Sequence, residues 1–337
     1  MSNWSTFTCE NADFKVRSVP DNIVFNARRT ALLDSEVFRD MFDMCDPGSP
    51  DADEPLDLHE TSSELIALLR LLHDPPVAPK ELPPITVYDS RRYDPATVIP
   101  LPLLLSLVFP LVDKYAIKEE TINALKLHLH AHARTHALEV YAFATVNHND
   151  MEWIASAASQ YIQPLASYRF EEIKVIPNVI AYHKLVRLQD FRVKALRDLL
   201  LGEDIFPRGK HLNVAALLNP SSLDLPTCLL GYGACPTHRE RTIASWDRQR
   251  KALMGRIETG NIRLTCIPFV RFPPFTFAKY HSMRKHSATD VAGEMGALTD
   301  TLSECKTCQK ACIAAVEMLA YKCHRLPRRL DQLPNVY

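Results

Sequence analysis

The sequence predicts an α+β protein that is mainly helical, with a small α/β domain first, a helical array in the middle and a Cys-rich C-terminal region. Three observations lead to this prediction. Residues 12–19 alternate apolar and polar side chains, which is typical of a half-buried strand. Apolar residues recur every three or four positions through much of residues 103–201. Seven of the nine cysteines fall in the last 110 residues.

The first elements are a hairpin and a helix. Pro20-Asp21-Asn22 supplies turn chemistry after the first strand, and Ile23-Val24-Phe25 predicts a second strand that pairs with it. From Thr30 the period becomes helical, and the Pro- and Gly-containing run at 46–50 ends the helix. One face of this helix carries Ala31, Leu32, Ser35, Phe38 and Phe42.

A strand, a helix and a Pro-rich stretch follow. Leu56-Asp57-Leu58 predicts a short strand, and a capping box within Glu60–Glu64 precedes an apolar helix over Leu65–Leu72. Residues 74–102 contain eight prolines, which suppress both helices and central strands. We therefore expect residues 74–102 to form an extended insertion that runs over the surface.

Helical periodicity then continues to the end of the array. After Gly202 the pattern weakens, and two further helices are predicted at Thr237–Ile257 and Glu304–Arg325. The array itself comprises predicted helices at Leu103–Tyr115, Glu119–His136, Ala137–Val146, Asp150–Ser159 and Ile180–Leu201.

Composition and charge divide the chain of 337 residues. Residues 239–337 hold 17 Lys/Arg against 9 Asp/Glu, which leaves 22 against 31 for the rest, so the net charge of −1 hides two regions of opposite sign. We expect an α/β domain at 10–130 that includes the insertion, a helical extension at 131–202 and a basic, Cys-rich region at 203–337.

Apolar segments give an expectation about location. The run from Ile99 to Val112 contains three prolines and is shorter than the roughly 20 residues that span a bilayer, so we expect no membrane segment. The first twenty residues carry no apolar stretch of the secretory kind. Nine cysteines is an odd number, and in a reducing compartment we expect free thiols or metal ligands rather than a disulfide framework. We expect a cytoplasmic or nuclear protein.

Several linked segments resemble the BTB/POZ domain, and most closely the large group of such proteins in fungi. They are the hairpin ADFKVRSVPDNIVF, the helix SEVFRDMF, the strand and helix EPLDLHETSSELIALLRLLHDP and the helix LVDKYAIKEE. The following LEVYAFATVNHNDMEWIASAAS is similar to the helical extension of that group, so the resemblance covers about residues 10–200. It implies an α/β domain that forms homodimers and recruits protein partners, often as the adaptor that links a cullin ubiquitin ligase to its substrate.

Surplus apolar area near the N-terminus gives an independent reason to expect association. A short helix with this much apolar surface cannot bury all of it inside one small domain, and exposed apolar surface commonly marks an interface. The alternative is that these side chains form the core, where large apolar residues are most often found. The candidate interface residues are Phe14, Val37, Phe38, Met41 and Phe42.

The C-terminal region contains two pairs of residues with metal-ligand spacing. Cys235 and His238 form a CxxH pair, and Cys305 and Cys308 form a CxxC pair, so the four could bind a structural zinc ion. Sixty-six residues separate the pairs, and Cys305, Cys308 and Cys312 also have helical spacing. The alternative is a helix face of thiols packed as small hydrophobic side chains.

Histidines at helical spacing form a second candidate metal site. His128, His132 and His136 recur every four residues, and two histidines four apart can bind a metal. No HExxH pattern accompanies them, so a solvated helix face is the simpler interpretation.

Catalytic motifs are missing from the sequence. It contains no GxGxxG, GxxxxGK[ST] or GxSxG pattern and only nine glycines, so we do not expect an enzyme.

The basic region supports an alternative function, a zinc-stabilised nucleic-acid-binding transcriptional regulator. Arginines and a lysine cluster on the predicted helix at 237–257, and phenylalanines follow at 269–277. The charge excess is modest, however, and solvated or intramolecular charge explains it more simply. We therefore expect a protein partner rather than nucleic acid.

Overall fold

The computed structural model describes residues 4–44, 54–83, 91–146, 150–201, 236–258 and 325–333 with a few positions between 295 and 323, and side chains along 236–258 only from 244 to 256. The chain divides into two compact units, Met1–Ala158 and Ser159–Tyr337. The described residues are mainly helical with a small mixed sheet, which confirms the predicted α+β, mainly helical class. The predicted boundaries near 130 and 202 stay predictions.

The first unit contains a three-stranded sheet in the order β2-β1-β3. Strands β1 (Phe14–Ser18) and β2 (Ile23–Ala27) form the predicted antiparallel hairpin, with Val16 opposite Phe25. Strand β3 (Leu56–Leu58) lies parallel to β1 on its other side. Arg17 of β1 lies opposite Asp57 of β3, and its guanidinium donates two hydrogen bonds of 2.6 Å to the Asp57 carboxylate.

Residues 29–44 form two helices, so the single helix predicted from Thr30 is wrong. Helix α1 covers Arg29–Leu32 and helix α2 covers Glu36–Met44. Between them, Ser35 forms an isolated antiparallel bridge with Ile117, and the Glu36 N–H donates to the carbonyl of Ala116 at 3.1 Å. The helix is interrupted because backbone groups at 35–36 bind this distant segment instead of continuing the helical ladder.

Helix α3 (Ser62–His73) confirms the predicted capping box. The Thr61 N–H donates to Glu64 Oε2 at 2.8 Å, and the Glu64 N–H donates to the Thr61 hydroxyl at 3.4 Å, which satisfies two otherwise free helix-terminal donors. The helix then buries Leu65, Ala67, Leu68, Leu69, Leu71 and Leu72.

Within the described part of the Pro-rich insertion, two short strands pair with each other. Strands β4 (Glu81–Leu82) and β5 (Arg92–Tyr93) are antiparallel, and a 3-10 turn follows at Pro95–Thr97. The segment then turns inward, because Ile99 is almost completely buried. The prediction of a segment that stays on the surface is therefore wrong at this end of the insertion.

A helical stretch with one irregular turn follows. Helix α4 (Leu101–Leu103) continues into a π-helical turn at Leu104–Val108 and then into helix α5 (Phe109–Tyr115). Pro110 has no N–H to donate to the carbonyl four residues earlier, which explains why regular α-helical bonding is interrupted here.

Length and composition alone would allow the stretch Pro95–Tyr115 to cross a membrane, although a core helix passes the same test. Its apolar side chains are largely buried, including those of Leu101, Leu104, Val108, Phe109, Leu111, Val112 and Tyr115. The expectation of no membrane segment stays a prediction.

Three helices complete the described part of the first unit. They are α6 (Glu119–Ala131), α7 (Ala137–Val146) and α8 (Glu152–Ser159). Helix α6 ends five residues before the predicted His136, and residues 132–136 form turns instead. Tyr141 on α7 and Ile154 on α8 are completely buried.

The second unit is helical where it is described. Helices α9 (Phe170–Ile173), α10 (Val179–Leu201) and α11 (Pro236–Glu258) include the two long helices predicted near 180–201 and 237–257. The described positions between 313 and 323 are helical, and the rest of the helix predicted at 304–325 lies outside the described residues. One core joins these parts through Leu196, Leu200, Trp246, Leu253, Met295, Ala315, Val316, Leu319 and Cys323.

Candidate protein-interaction surface

An aromatic cluster lies between β1, α2 and α5. The Phe38 ring stacks on Tyr115 with centroids 5.3 Å apart, and Phe42 meets Phe14 edge to face at 5.2 Å. The Arg29 guanidinium lies 4.5 Å from the centroid of the Phe42 ring, within the range of a cation–π interaction. The cluster therefore fixes α2 against the sheet and covers much of its own apolar area.

The candidate interface residues separate into core and surface. Phe38 is 1% exposed and Phe42 is also buried, so the core alternative describes these two side chains. Phe14 and Met41 are half-buried, whereas Val37 is 43% exposed. Of the five residues, Val37 is the one whose side chain is mainly presented to solvent.

Further apolar side chains are exposed near these residues in the sequence. Ile23 and Val24 on β2 are 45% and 48% exposed, and Val19 beside the turn is similarly open. We call Val19, Ile23 and Val24 the hairpin surface, and Leu33 with Val37 the junction surface, because the latter two flank the break between α1 and α2. The sequence analysis missed the hairpin surface, although three consecutive apolar residues in β2 already signalled that both faces of this strand are apolar.

The outer edge of β2 lies beside the hairpin surface. The sheet order places β1 on one side of β2, and within the part of the chain that is described no strand pairs with its other side. Edge strands present unpaired backbone N–H and C=O groups that can bind another strand. Exposed apolar side chains and an open edge therefore occur on the same strand.

Buried polar groups hold the helix break that positions Val37. The Ser35 hydroxyl donates to the Tyr115 carbonyl at 2.5 Å and accepts from the Phe38 N–H at 3.3 Å, so it caps α2 and ties it to α5. Asp34 forms an ion pair with Lys118 on the same segment. These contacts fix the orientation of the junction surface.

A buried carboxylate lies next to this junction. Glu60 is almost completely buried and forms an ion pair with Lys114, while its backbone carbonyl accepts a 2.7 Å hydrogen bond from the Ser18 hydroxyl. Burial would raise the pKa of Glu60, but hydrogen bonds from Lys114 and Tyr115 outweigh burial and leave that pKa below its usual value. The charged Glu60 thus connects β1 with α5.

The histidines at 128 and 132 bind the insertion, so the solvated helix face expected from their spacing is wrong for them. The Ile99 N–H donates to His128 Nδ1 at 3.2 Å, and His128 Nε2 donates to the Val77 carbonyl at 2.9 Å. His132 Nε2 donates to the Ile99 carbonyl at 2.8 Å. Because Nδ1 of His128 accepts, its proton is on Nε2 and the ring is neutral. His136 remains exposed.

Burial of these two rings has an electrostatic consequence. Desolvation lowers the pKa of His128 and of His132 from the usual value. Like-charge repulsion lowers both pKa values further, from His132 in the case of His128 and from His136 in the case of His132. The two rings therefore act as neutral structural anchors that fix both backbone groups of Ile99.

Most of the predicted zinc ligands lie outside the described residues. This applies to Cys235, Cys305 and Cys308, and His238 falls in the part of α11 for which side chains are not described. Elsewhere in the described chain, no group of three or more His, Cys, Asp or Glu is placed to bind a metal. The zinc site stays a prediction, and Cys323 is part of the apolar core of the second unit.

The basic helix α11 uses part of its charge internally. Arg250 is largely buried, forms an ion pair of 2.8 Å with Asp247 and donates to the Leu200 carbonyl at 3.3 Å. Arg248 and Lys251 are exposed. At least one of the arginines that suggested nucleic-acid binding therefore stabilises the second unit.

One open groove of about 430 Å³ lies on the first unit. Within it the buried Lys126 ammonium faces the carboxylates of Glu119 at 3.5 Å and Asp150 at 3.8 Å. Two acidic groups directed at one buried cation satisfy that cation within the fold. The groove is lined by Glu119, Asn123, Lys126, Leu127, Asp150 and Trp153.

Comparisons of the chain with models of known protein families, with curated proteins and with solved structures find no match.

Proposed function

We propose that this chain is a protein-interaction module that self-associates through its first unit and recruits a protein partner, as a BTB/POZ-like protein would. The proposal rests chiefly on the open edge of β2 and the exposed Ile23 and Val24 on that same strand. A second copy could cover both features at once, because a closed two-fold interface joins the same surface of each subunit.

The order of elements is a second support. A hairpin, a helical stretch, a short strand parallel to the first strand and an apolar capped helix follow one another in the first unit. This is the order on which the sequence resemblance to BTB/POZ domains rests. Complete burial of a Val or Ile side chain contributes about 1.5–3 kcal/mol, so Ile23 and Val24, each about half exposed, would contribute about half of that value per residue.

Light scattering at micromolar concentration tests self-association. We expect a dimer for the natural chain and a monomer for Val24→Lys and Val37→Asp, because each places a charge in the proposed interface. Val146→Lys is a matched control, since Val146 is also about half exposed but belongs to neither surface. A monomeric natural chain, or dimers that persist in both variants, would contradict the proposal.

The partner that the resemblance suggests is the cullin subunit of a ubiquitin ligase. A pull-down with a cullin N-terminal domain tests it, with a known BTB adaptor as the positive control. We expect retention of the chain at moderate salt. If the known adaptor is retained and this chain is not, the adaptor role is wrong while self-association can still hold.

A further inference from the structure

We propose that the N-terminal half of α10 binds an acidic amphipathic helix from a partner protein. This helix carries two apolar stripes. Ala181, Leu185 and Leu188 are buried, whereas Val179, Tyr182 and Val186 are exposed. We call the second set the outer stripe. Its spacing of three and four residues is that of a seam between packed helices.

The buried side of α10 is firmly held, so the outer stripe has a fixed direction. Gln189 accepts a 3.1 Å hydrogen bond from the Leu165 N–H and donates one of 2.9 Å to the Gln163 carbonyl. At the start of the helix, Asn178 Oδ1 accepts from the Ala181 N–H at 2.8 Å and caps the first turn. A rigid helix pays little conformational entropy on binding a partner.

The exposed apolar area extends beyond the outer stripe. Next to Val179, the stripe residue that is 81% exposed, Ile180 is 71% exposed on the helix itself. Phe170, which begins α9 a few residues earlier, is 78% exposed, and Val175 between the two helices is also open. A soluble surface rarely places this many large apolar side chains close together in the chain without a partner for them.

The charges around the outer stripe indicate the sign of the charge that the partner carries. His183, Lys184 and Arg187 are exposed on the same half of α10, and no Asp or Glu occurs between Glu172 and Asp190. Within the described part of the chain, neither Lys184 nor Arg187 belongs to an ion pair. Cations beside an apolar stripe complement a helix whose own stripe is flanked by Asp or Glu.

Charges on α10 and on the neighbouring α9 argue against two other occupants. In an antiparallel pair of α10 helices from two copies, Arg187 and Lys184 would meet cations of the same kind, which opposes pairing. An anionic lipid surface that covered Phe170 would also meet the exposed Glu171 and Glu172, which acidic headgroups repel. A helix confined to the outer stripe meets only residues 179–187 of α10, among which no Asp or Glu occurs. A protein helix with acidic flanks fits both the spacing and the charge.

Two designed helical peptides test the proposal on the full chain. Both carry leucines at the spacing of the outer stripe, and they differ only in flanking glutamates or flanking lysines. By fluorescence anisotropy we expect the glutamate peptide to bind at least about tenfold more tightly. Val179→Ser should weaken that binding about tenfold, and Arg187→Glu should remove the preference.

Matched controls and three outcomes make the test decisive. Val146→Ser and Arg134→Glu change exposed residues of the first unit in the same way and should leave peptide binding unchanged. Absent or equal binding of the two peptides overturns the proposal. So does binding to phosphatidylserine vesicles in place of the glutamate peptide, or a Val179→Ser variant that changes only self-association.

Discussion

Replacing His128 by leucine is the sharpest test of the histidine anchor. The His128 side chain, on a residue that is 2% exposed, makes two hydrogen bonds to the insertion, one from the Ile99 N–H and one to the Val77 carbonyl. Leucine fills a similar volume but can make neither bond. The substitution therefore isolates the polar contribution of this ring.

The expected loss of free energy depends on how exposed the two hydrogen-bond partners of His128 are. The Ile99 N–H is buried, and leaving such a donor unsatisfied costs about 1–3 kcal/mol. Val77 is mainly exposed, so water can replace His128 at its carbonyl and the loss there is about 0.5–1.5 kcal/mol. We expect His128→Leu to lower the free energy of opening this segment by about 2–4 kcal/mol.

Hydrogen exchange at the Ile99 amide measures this opening directly. A loss of about 2 kcal/mol corresponds to exchange that is roughly 30-fold faster. Trypsin cleavage after Lys80 and Arg91, which both lie within the insertion, should accelerate in parallel. His136→Leu is the matched control, because His136 is exposed and should change neither readout. Unchanged Ile99 exchange in His128→Leu would refute the anchor.

Three further outcomes are expected. Burial lowers the folded-state pKa values of His73, His128 and His132, so the unfolded chain binds more protons near pH 6 than the folded chain does. The free energy of unfolding should therefore be complete above about pH 6.5 and fall as the pH decreases below that value. Urea midpoints that are flat from about pH 7.5 to about pH 5 would contradict this expectation. Ser35→Ala removes the cap of α2 and the hydrogen bond to the Tyr115 carbonyl. It should lower the free energy of unfolding of the first unit, measured in urea, by about 2–3 kcal/mol. A loss below about 0.5 kcal/mol would show that these bonds contribute little. If the four predicted ligands bind zinc, metal analysis of the purified chain should give about one zinc per chain, and a Cys305→Ser variant should lose it; a metal-free natural chain rejects the site and weakens the alternative of a zinc-stabilised regulator.

Predictions from local pattern were accurate where neighbours along the chain decide the outcome. Alternation located the hairpin, and Thr61 with Glu64 located the start of α3, because a capping box needs only residues three apart. Leu32 and Phe38, two apolar residues of the predicted helix face, are both buried, although they belong to the two separate helices α1 and α2.

Predictions were wrong where a distant segment competes for a backbone group. The break before α2 depends on the carbonyl groups of Tyr115 and Ala116, about 80 positions away in the chain. His128 and His132 looked like solvated residues because nothing in their own helix reveals that the insertion folds over them. Periodicity within one segment contains no information about such partners.

The sequence by itself determined the class of the fold, the hairpin, the capped helix and the positions of the long helices, because these depend on side-chain periodicity and on hydrogen bonds between near neighbours. Only the tertiary structure decided which apolar residues are covered. Phe38 is buried by Tyr115 while Val37, its immediate neighbour, is left open together with the edge of β2. The burial of a side chain depends on how the whole unit packs, and so the exposed residues of the candidate interface could be identified only from the tertiary structure.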